Sequence, residues 1–482
     1  MNVFGLIAVA ACIAFLLAWL WAEEDDSDME ALRWRTSIVD PLMLPAILLA
    51  DGIAVGVLKG PAVLEGWLTA VCVDYTLLLT VYDALLAFLL PALRRYYRAR
   101  TCALLWILPN FLYVTEWAWV KRPMPRLIVH LPETALHIGL MVWLLGTLGV
   151  FLWKMIQHFR FRKQILRGSY PVSAQDILEM WKEMQLASGL RKPWCRLLIA
   201  PEAKTPLTFG LSPRRARVLL PEREYTEDEL RLIVRHELVH IRRSDLSAKL
   251  FYVFTKSIGW FNPLVWLSLR RSADDLELSC DEAVLLGESE DTRRQYAELL
   301  LRTAGDERGI TSCLSANAKA LKHRLTGVML PKKKHHGWLL IGVCTFLLLA
   351  GKGLVGVSYG ETTVGNLLDG DVKIKSATIY SSEFRNYGEF VEEKALMNGG
   401  FLEALKDIPV EMLGGNYSLS SAKGRELVLV LEIDGRLGSM AVSEGGLLSF
   451  ARSLGRTEAE IWYLPEGAEG LFSLYAELTG NS

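Results

Sequence analysis

The sequence predicts a polytopic α-helical membrane protein with a mainly helical domain on one side of the bilayer and a small α+β domain on the other. Three observations lead there. Apolar runs of about bilayer length recur through the first third of the chain and once more at 337–357. Basic residues gather at particular ends of those runs. Beyond the last run, helical spacing gives way to strand alternation. The 482 residues are 51% hydrophobic and 22% charged, with mean hydropathy +0.24, which fits apolar spans alternating with polar domains and not one uniform globule.

Residues 1–153 hold about five candidate spans, at 3–21, 40–58, 67–90, 102–120 and 131–153. The first reads as a retained helix: no positive charge precedes it, and Glu23-Glu24-Asp25-Asp26 follows where a signal peptide would have small residues. The second is the weakest, with Asp51 inside it and Pro45 interrupting it. Asp74, Asp83 and Glu116 also lie in apolar runs, and acids there are expected to face the bundle interior. Residues 154–336 form a polar block, 337–357 a sixth span, and 358–482 a tail.

Orientation follows from Lys and Arg near the span ends. Arg94, Arg95, Arg98 and Arg100, then Lys154, Arg160, Arg162, Lys163 and Arg167, then Lys332, Lys333 and Lys334 all fall on one side if the N-terminus starts outside. Lys121, Arg122 and Arg126 dissent. The expected protein is therefore multi-pass in the cell membrane, with block 154–336 cytoplasmic and the tail extracytoplasmic. Lys332–Lys334 read as contacts to anionic membrane lipid. A net charge of −1 and a tail in which acids outnumber bases about two to one argue against direct nucleic-acid binding. The 7 cysteines contain no C-x-x-C pair, so no disulfide framework is expected.

Within the block, 171–190 reads as a helix, followed by strand-like runs at 196–200 and 217–220 with Gly210 and Pro213 between them. The run 217–220 could offer an edge to an extended peptide. Thr226 and Glu229 form a T-x-x-E cap at the start of the helix that carries Arg235-His236-Glu237-Leu238-Val239-His240. Two His at i and i+4 share a helix face and can grip one Zn²⁺, with Glu237 placed to take a proton from metal-bound water. A catalytic zinc needs a third protein ligand, and no third His follows soon after. Downstream, Glu277 and Asp281 are spaced i, i+4 on a second helix. Glu277 suits the ligand, and Asp281 suits a partner that orients an imidazole. Asp274 and Asp275 read as a solvated face. Cys280 reads as a packing residue, since a fourth ligand would close the zinc to substrate. Asp245 reads as an internal ion-pair partner, and His323 and Arg324 are the candidate oxyanion donors. Residues 251–269 are apolar but interrupted by Lys256, Gly259 and Asn262-Pro263, which points to an interfacial or re-entrant element.

Taken in order, Pro206-Leu207-Thr208-Phe209-Gly210, Val218-Leu219-Leu220-Pro221, the HELVHIRRSD run, Asn262-Pro263-Leu264-Val265-Trp266 and Glu277-Leu278-Ser279-Cys280-Asp281-Glu282 resemble the BlaR/MecR-type membrane zinc metallopeptidases. These are antirepressor-like gluzincins related to Ste24 and HtpX. The resemblance covers roughly 170–330 and implies a gluzincin-type zinc peptidase domain with Glu277 as third ligand and Asp281 behind it. It also implies cleavage of a cytoplasmic or membrane-proximal polypeptide, often a transcriptional repressor, under an outer sensor.

The tail shows strand patterns at 372–379 and 426–433, the second followed by Asp434-Gly435 and a further run at 436–443, a hairpin signal. Helices are expected at 399–406 and 446–454. Here the chain departs from the best-known members of the family, whose sensor is a penicillin-binding domain. Ser420-Ser421-Ala422-Lys423 matches S-x-x-K in form, but no K-T-G follows and the tail is too short for that fold. Nothing in the tail names its ligand. The alternative to an enzyme is a signalling receptor or scaffold with structural zinc. That role needs the His pair but not Glu237.

Overall fold

The computed structural model describes residues 43–111, 121–190, 192–210, 215–243, 245–303, 312–313, 318–330, 334–335, 337–380, 388–391, 400–419, 422, 424–452, 460–467 and 469–479. The expected span at 3–21, Glu116, Lys332 and Lys333, and three residues of the S-x-x-K match lie outside them.

Helices α1 (Met43–Lys59) and α2 (Pro61–Tyr96) meet at Gly60, whose φ of 89° makes the turn, and Pro61 opens α2 where its missing N–H costs nothing. Pro45 falls in the first turn of α1 and does not interrupt it. Next come α3 (Ala99–Ile107) with a 3₁₀ turn over Leu108–Phe111, strand β1 (Leu127–His130) and helix α4 (Glu133–Leu166). With 36 and 34 residues, α2 and α4 are long and apolar enough to cross a membrane. Acids inside them are satisfied internally. Asp74 pairs with Arg122 at 3.0 Å and accepts the Gly353 amide, while Asp83 accepts from Ser268 at 2.9 Å.

The polar block contains β2 (Tyr170–Pro171), α5 (Gln175–Ala187), β3 (Arg196–Ile199), β4 (Leu207–Phe209), β5 (Arg217–Leu220), α6 (Glu227–Arg243), α7 (Asp245–Ile258), α8 (Pro263–Val284), α9 (Glu290–Thr303), β6 (Ser312–Cys313) and α10 (Ala318–Met329). Its sheet runs β2-β3-β5-β4-β6. Strand β5 pairs on both sides, parallel to β3 and antiparallel to β4. Residues 217–220 are thus an interior strand and offer no edge, as their run of buried Val218, Leu219 and Leu220 requires. The stripe Leu230, Ile233, Val234 and Leu238 buries α6 against this core.

The apolar segment 251–269 folds back as a helical hairpin. Asn262 caps α8, accepting the Leu264 amide at 3.0 Å, and donates to Thr80 Oγ1 of α2 at 2.7 Å. The indole of Trp143, on α4, donates to the Ile258 carbonyl at 3.0 Å. The hairpin tip therefore reaches the middle of both long helices, and its backbone is satisfied there by protein.

The last part holds α11 (Trp338–Ala350), β7 (Val355–Thr363), α12 (Val364–Leu367), β8 (Val372–Tyr380), β9 (Gly388–Val391), α13 (Phe401–Lys406), β10 (Pro409–Leu413), β11 (Glu426–Ile433), β12 (Arg436–Ser443), β13 (Leu447–Ala451), β14 (Ile461–Pro465) and α14 (Glu469–Thr479). Helix α11 has 13 residues, shorter than the expected 337–357 run, because Gly351 and the positive φ of Gly353 turn the chain into β7. Asp434 and Gly435, both at positive φ, join β11 to β12 as the sequence anticipates. The expected helix at 446–454 is instead β13, buried at every position between β12 and β14, with no polar face to give a helix. The nine-stranded sheet runs β1-β7-β10-β14-β13-β12-β11-β8-β9. Its first strand comes from residues 127–130, so the region before 153 is not wholly helical. Pairing β1 with β7 ties the loop before α4 to the tail.

Helix α4 thus starts beside the nine-stranded sheet, while Ile165 in its last turn packs on Leu207, Phe209 and Leu219 of the five-stranded one. The two sheets stand at opposite ends of one long apolar helix. Single cysteines at exposed Ser173 and Ser473, in a background without other reactive thiols, should therefore label from opposite faces of sealed cells with an impermeant maleimide. Ser473→Cys should label from outside and Ser173→Cys only after permeabilisation. Equal labelling of both in sealed cells would rule out a crossing by α4.

Candidate metal centre

Helix α6 begins with a reciprocal cap. The Thr226 hydroxyl accepts the Glu229 amide at 3.3 Å, and the Glu229 carboxylate accepts the Thr226 amide at 3.2 Å. That start fixes the helical phase, so His236, Glu237 and His240 all point inward, at 0%, 0% and 3% exposure. Helix α8 crosses α6 and brings Glu277 to the imidazoles. The three donor atoms form a small triangle: His236 Nε2 to His240 Nε2 is 3.0 Å, and Glu277 Oε2 lies 3.5 and 3.6 Å from them. Ligands around a tetrahedral zinc with bonds of ~2.0–2.1 Å stand about 3.3 Å apart. The spacing matches that requirement.

The outer nitrogens are both engaged. His240 Nδ1 donates to Asp245 Oδ2 at 2.6 Å. Tyr296 Oη stands 2.8 Å from His236 Nδ1 and gives its own proton to Asp281 Oδ1 at 2.6 Å, so His236 Nδ1 is the donor to it. Each imidazole therefore carries its proton on Nδ1 and turns the Nε2 lone pair to the shared point. Glu277 Oε2 is buried and accepts no hydrogen bond, while its Oε1 accepts from Lys249 at 2.9 Å. A buried carboxylate oxygen without a donor, facing two lone pairs, is a fitting coordination site for a cation. Burial alone would raise the pKa of Glu277, but Lys249 and His240 hold it well below the usual carboxylate range. At His236, burial disfavours the proton, yet Cys280 and Glu277 outweigh it and lift the group to about 9. Protons and a metal thus compete for this pair.

The family model described as BlaR1 peptidase M56 matches residues 81–328, just over half of the chain. The chain belongs to the M56 peptidase family. It is 25% identical over 262 residues to the regulatory protein BlaR1 of Bacillus licheniformis, covering 52% of this chain and 43% of that protein. Against the methicillin resistance mecR1 protein of Staphylococcus aureus, it is 28% identical over 169 residues, covering 34% of this chain and 28% of the relative. The matches thus span less than half the length of these relatives.

The fold brings His236, His240 and Glu277 to one point, with Glu237 and Asp281 beside them, but the surroundings of several neighbours differ from expectation. Asp281 Oδ1 stands 3.6 Å from His236 Nδ1, beyond hydrogen-bond reach. It reaches His236 through Tyr296 and is itself gripped by Arg324, whose Nε and Nη2 each donate at 2.6 Å. Arg324, 2% exposed, is therefore a buried partner of Asp281, although its Nη1 lies 3.7 Å from Glu277. His323 sits away from the centre, in the field of Arg94, Asp275, Lys334 and Glu282. Asp245 does more than pair internally, since it holds His240. Asp275 is no solvated acid: it is fully buried and paired with Arg94. Tyr296 was missed, because a lone Tyr sixty residues downstream carries no motif. Cys280 Sγ can form a compact set with the two imidazoles, but its close approach, 3.5 Å, is to His236 Nδ1, on the side Tyr296 already occupies.

Replacing Arg324 strands a buried carboxylate. Arg324→Met should destabilise the protein by about 3–5 kcal/mol, read as a lower thermal midpoint in detergent, whereas Arg302→Met at the exposed Glu229 pair should shift it little. Equal shifts would show that the Asp281 carboxylate finds water.

Proposed function

We propose that the chain is a membrane-embedded zinc endopeptidase that cleaves a cytoplasmic or membrane-proximal protein, a transcriptional repressor being the substrate class, as a step in signalling controlled by the domain around the nine-stranded sheet. Membership of the M56 family supports peptidase chemistry. The regulatory naming of the Bacillus relative supports its place in signalling. The observation that carries the reading is the triangle of His236 Nε2, His240 Nε2 and Glu277 Oε2.

These three atoms are the ones that would hold the zinc, with Asp245 and the Asp281–Tyr296 pair fixing both imidazoles. When bound, zinc polarises the scissile carbonyl and lowers the pKa of a water to about 7. Glu237 is the base. Thr208 Oγ1 donates to its Oε2 at 2.6 Å and fixes its rotamer, which holds the carboxylate in place to take the proton. The proton then passes to the leaving amine. Thr208 also lies on β4, beside the core strand β5, so the base is held by a sheet and not by a loop. A scaffold with structural zinc would have no use for a fully buried carboxylate held in this way, and Glu237 therefore favours the enzyme.

Purified protein should hold about one zinc per chain, lost in His236→Ala, His240→Ala and Glu277→Ala. Glu237→Gln should keep the zinc and abolish proteolysis. Cys280→Ala should keep both, and loss of zinc there would move the third ligand from Glu277 to the thiol. Comparing the proteomes of cells carrying wild type and Glu237→Gln should reveal a substrate that accumulates uncleaved. Zinc retained in the His236→Ala/His240→Ala double variant would overturn the assignment.

A further inference from the structure

Helix α8 is gripped on two opposite sides. Residues 275 and 277 are about 200° apart around a helix, so Asp275 and Glu277 leave it in nearly opposite directions. Glu277 turns to the imidazoles. Asp275 turns to the membrane bundle, where Arg94 Nε donates to its Oδ1 at 2.8 Å and Trp106 Nε1 to its Oδ2 at 2.9 Å. Seven residues on, and so on the same face, Glu282 accepts the backbone amide of Ala99 and the ammonium of Lys334, both at 3.0 Å. Arg94 closes the last turn of α2, Trp106 belongs to α3, and Ala99 is the first residue of α3.

Asp275 has 0% exposure, so its charge is tolerable only with both donors in place. Two bonds at defined atoms fix the rotation and the height of α8 against α2 and α3. Helix α8 is stiff over the half-turn between the two carboxylates, so the same bonds fix where Glu277 Oε2 stands relative to the Nε2 pair.

We infer that Asp275, held by Arg94 and Trp106, is a positioning residue for Glu277, through which the ends of the membrane helices set the metal affinity of the centre. This rests on the reading of Glu277 as a ligand. It assigns to residues 94 and 106, which touch neither metal nor substrate, a control over the site from within the bundle.

The test is a zinc titration of the full-length protein in detergent against a chromophoric chelator, with thermal melts alongside. Arg94→Gln and Trp106→Phe should each weaken zinc binding by roughly tenfold or more, in the range of partners that orient a ligand. Arg94→Lys, which restores a cation to Asp275, should recover most of the affinity. Asp74→Asn breaks the buried pair with Arg122 in the first half of α2, about 30 Å from Arg94, and it should lower the melting temperature without changing the zinc dissociation constant. Wild-type affinity in both Arg94→Gln and Trp106→Phe would overturn the inference. So would an equal loss in Asp74→Asn, because the effect would then be general loosening. Glu277→Gln in the same titration separates the two levels. If it binds zinc as wild type does, the ligand assignment falls and the positioning role falls with it. If it loses zinc while the Arg94 and Trp106 variants do not, only the positioning role is lost.

Discussion

Two imidazole nitrogens 3.0 Å apart, each with its lone pair turned to the other, repel unless a positive charge stands between them. That constraint organises the centre. Asp245 and Tyr296 keep the protons on the far nitrogens and so enforce the opposition of the lone pairs. Glu277 adds a third electron-rich atom to the same point. Its charge is offset from behind by Lys249 on one oxygen and by the nearby Arg324. Arg324 in turn is held by Asp281, which also accepts from Tyr296. Each group is explained by the one before it, and removing any one leaves a buried charge or donor unmatched.

Much of this was legible in the sequence because it rests on short-range periodicity. The T-x-x-E cap, the i, i+4 His pair and the i, i+4 pair of Glu277 and Asp281 are local facts of helical spacing, and the folded chain keeps each of them. The Asp434-Gly435 turn was legible for the same reason, since φ > 0 at both positions is a local demand. What was not legible depends on distant pairing. Tyr296 lies on α9 and Asp245 opens α7, and neither can be matched to its imidazole without knowing how those helices cross. Asp275 looked like its half-buried neighbour Asp274 because its partner Arg94 is 181 residues away. The strand at 447–451 resembled a helix because a run buried on both faces has no period to read.

The sheets follow a similar logic. Residues 127–130 are short and flank an apolar run, so in isolation they belong to the membrane region. Only the parallel pairing with β7 assigns them to the tail. That assignment matters physically. It puts the loop before α4, and with it Arg122, Lys121 and Arg126, on the side of the nine-stranded sheet. These are the basic residues that dissent from the charge rule. Arg122 is neutralised by Asp74, and Lys121 pairs with Glu460 at 2.6 Å. Two of the three dissenting charges are thus paired with acids, which weakens their pull on orientation.

Helix α2 is the element that joins these two regions. In its first half, Asp74 holds Arg122 and the Gly353 amide, which belong to the segments entering the nine-stranded sheet. At its end, Arg94 holds Asp275 on the helix that bears Glu277. Twenty residues of α-helix separate them, about 30 Å, the thickness of a bilayer core. Between the two, Asp83 and Thr80 bind Ser268 and Asn262 of the helical hairpin at 251–269. A shift of α2 along its axis would therefore have to break both of these ion pairs or carry α8 with it. Because a buried pair is costly to break, carrying α8 is the cheaper response. A displacement that starts at the sheet has a rigid route to Glu277.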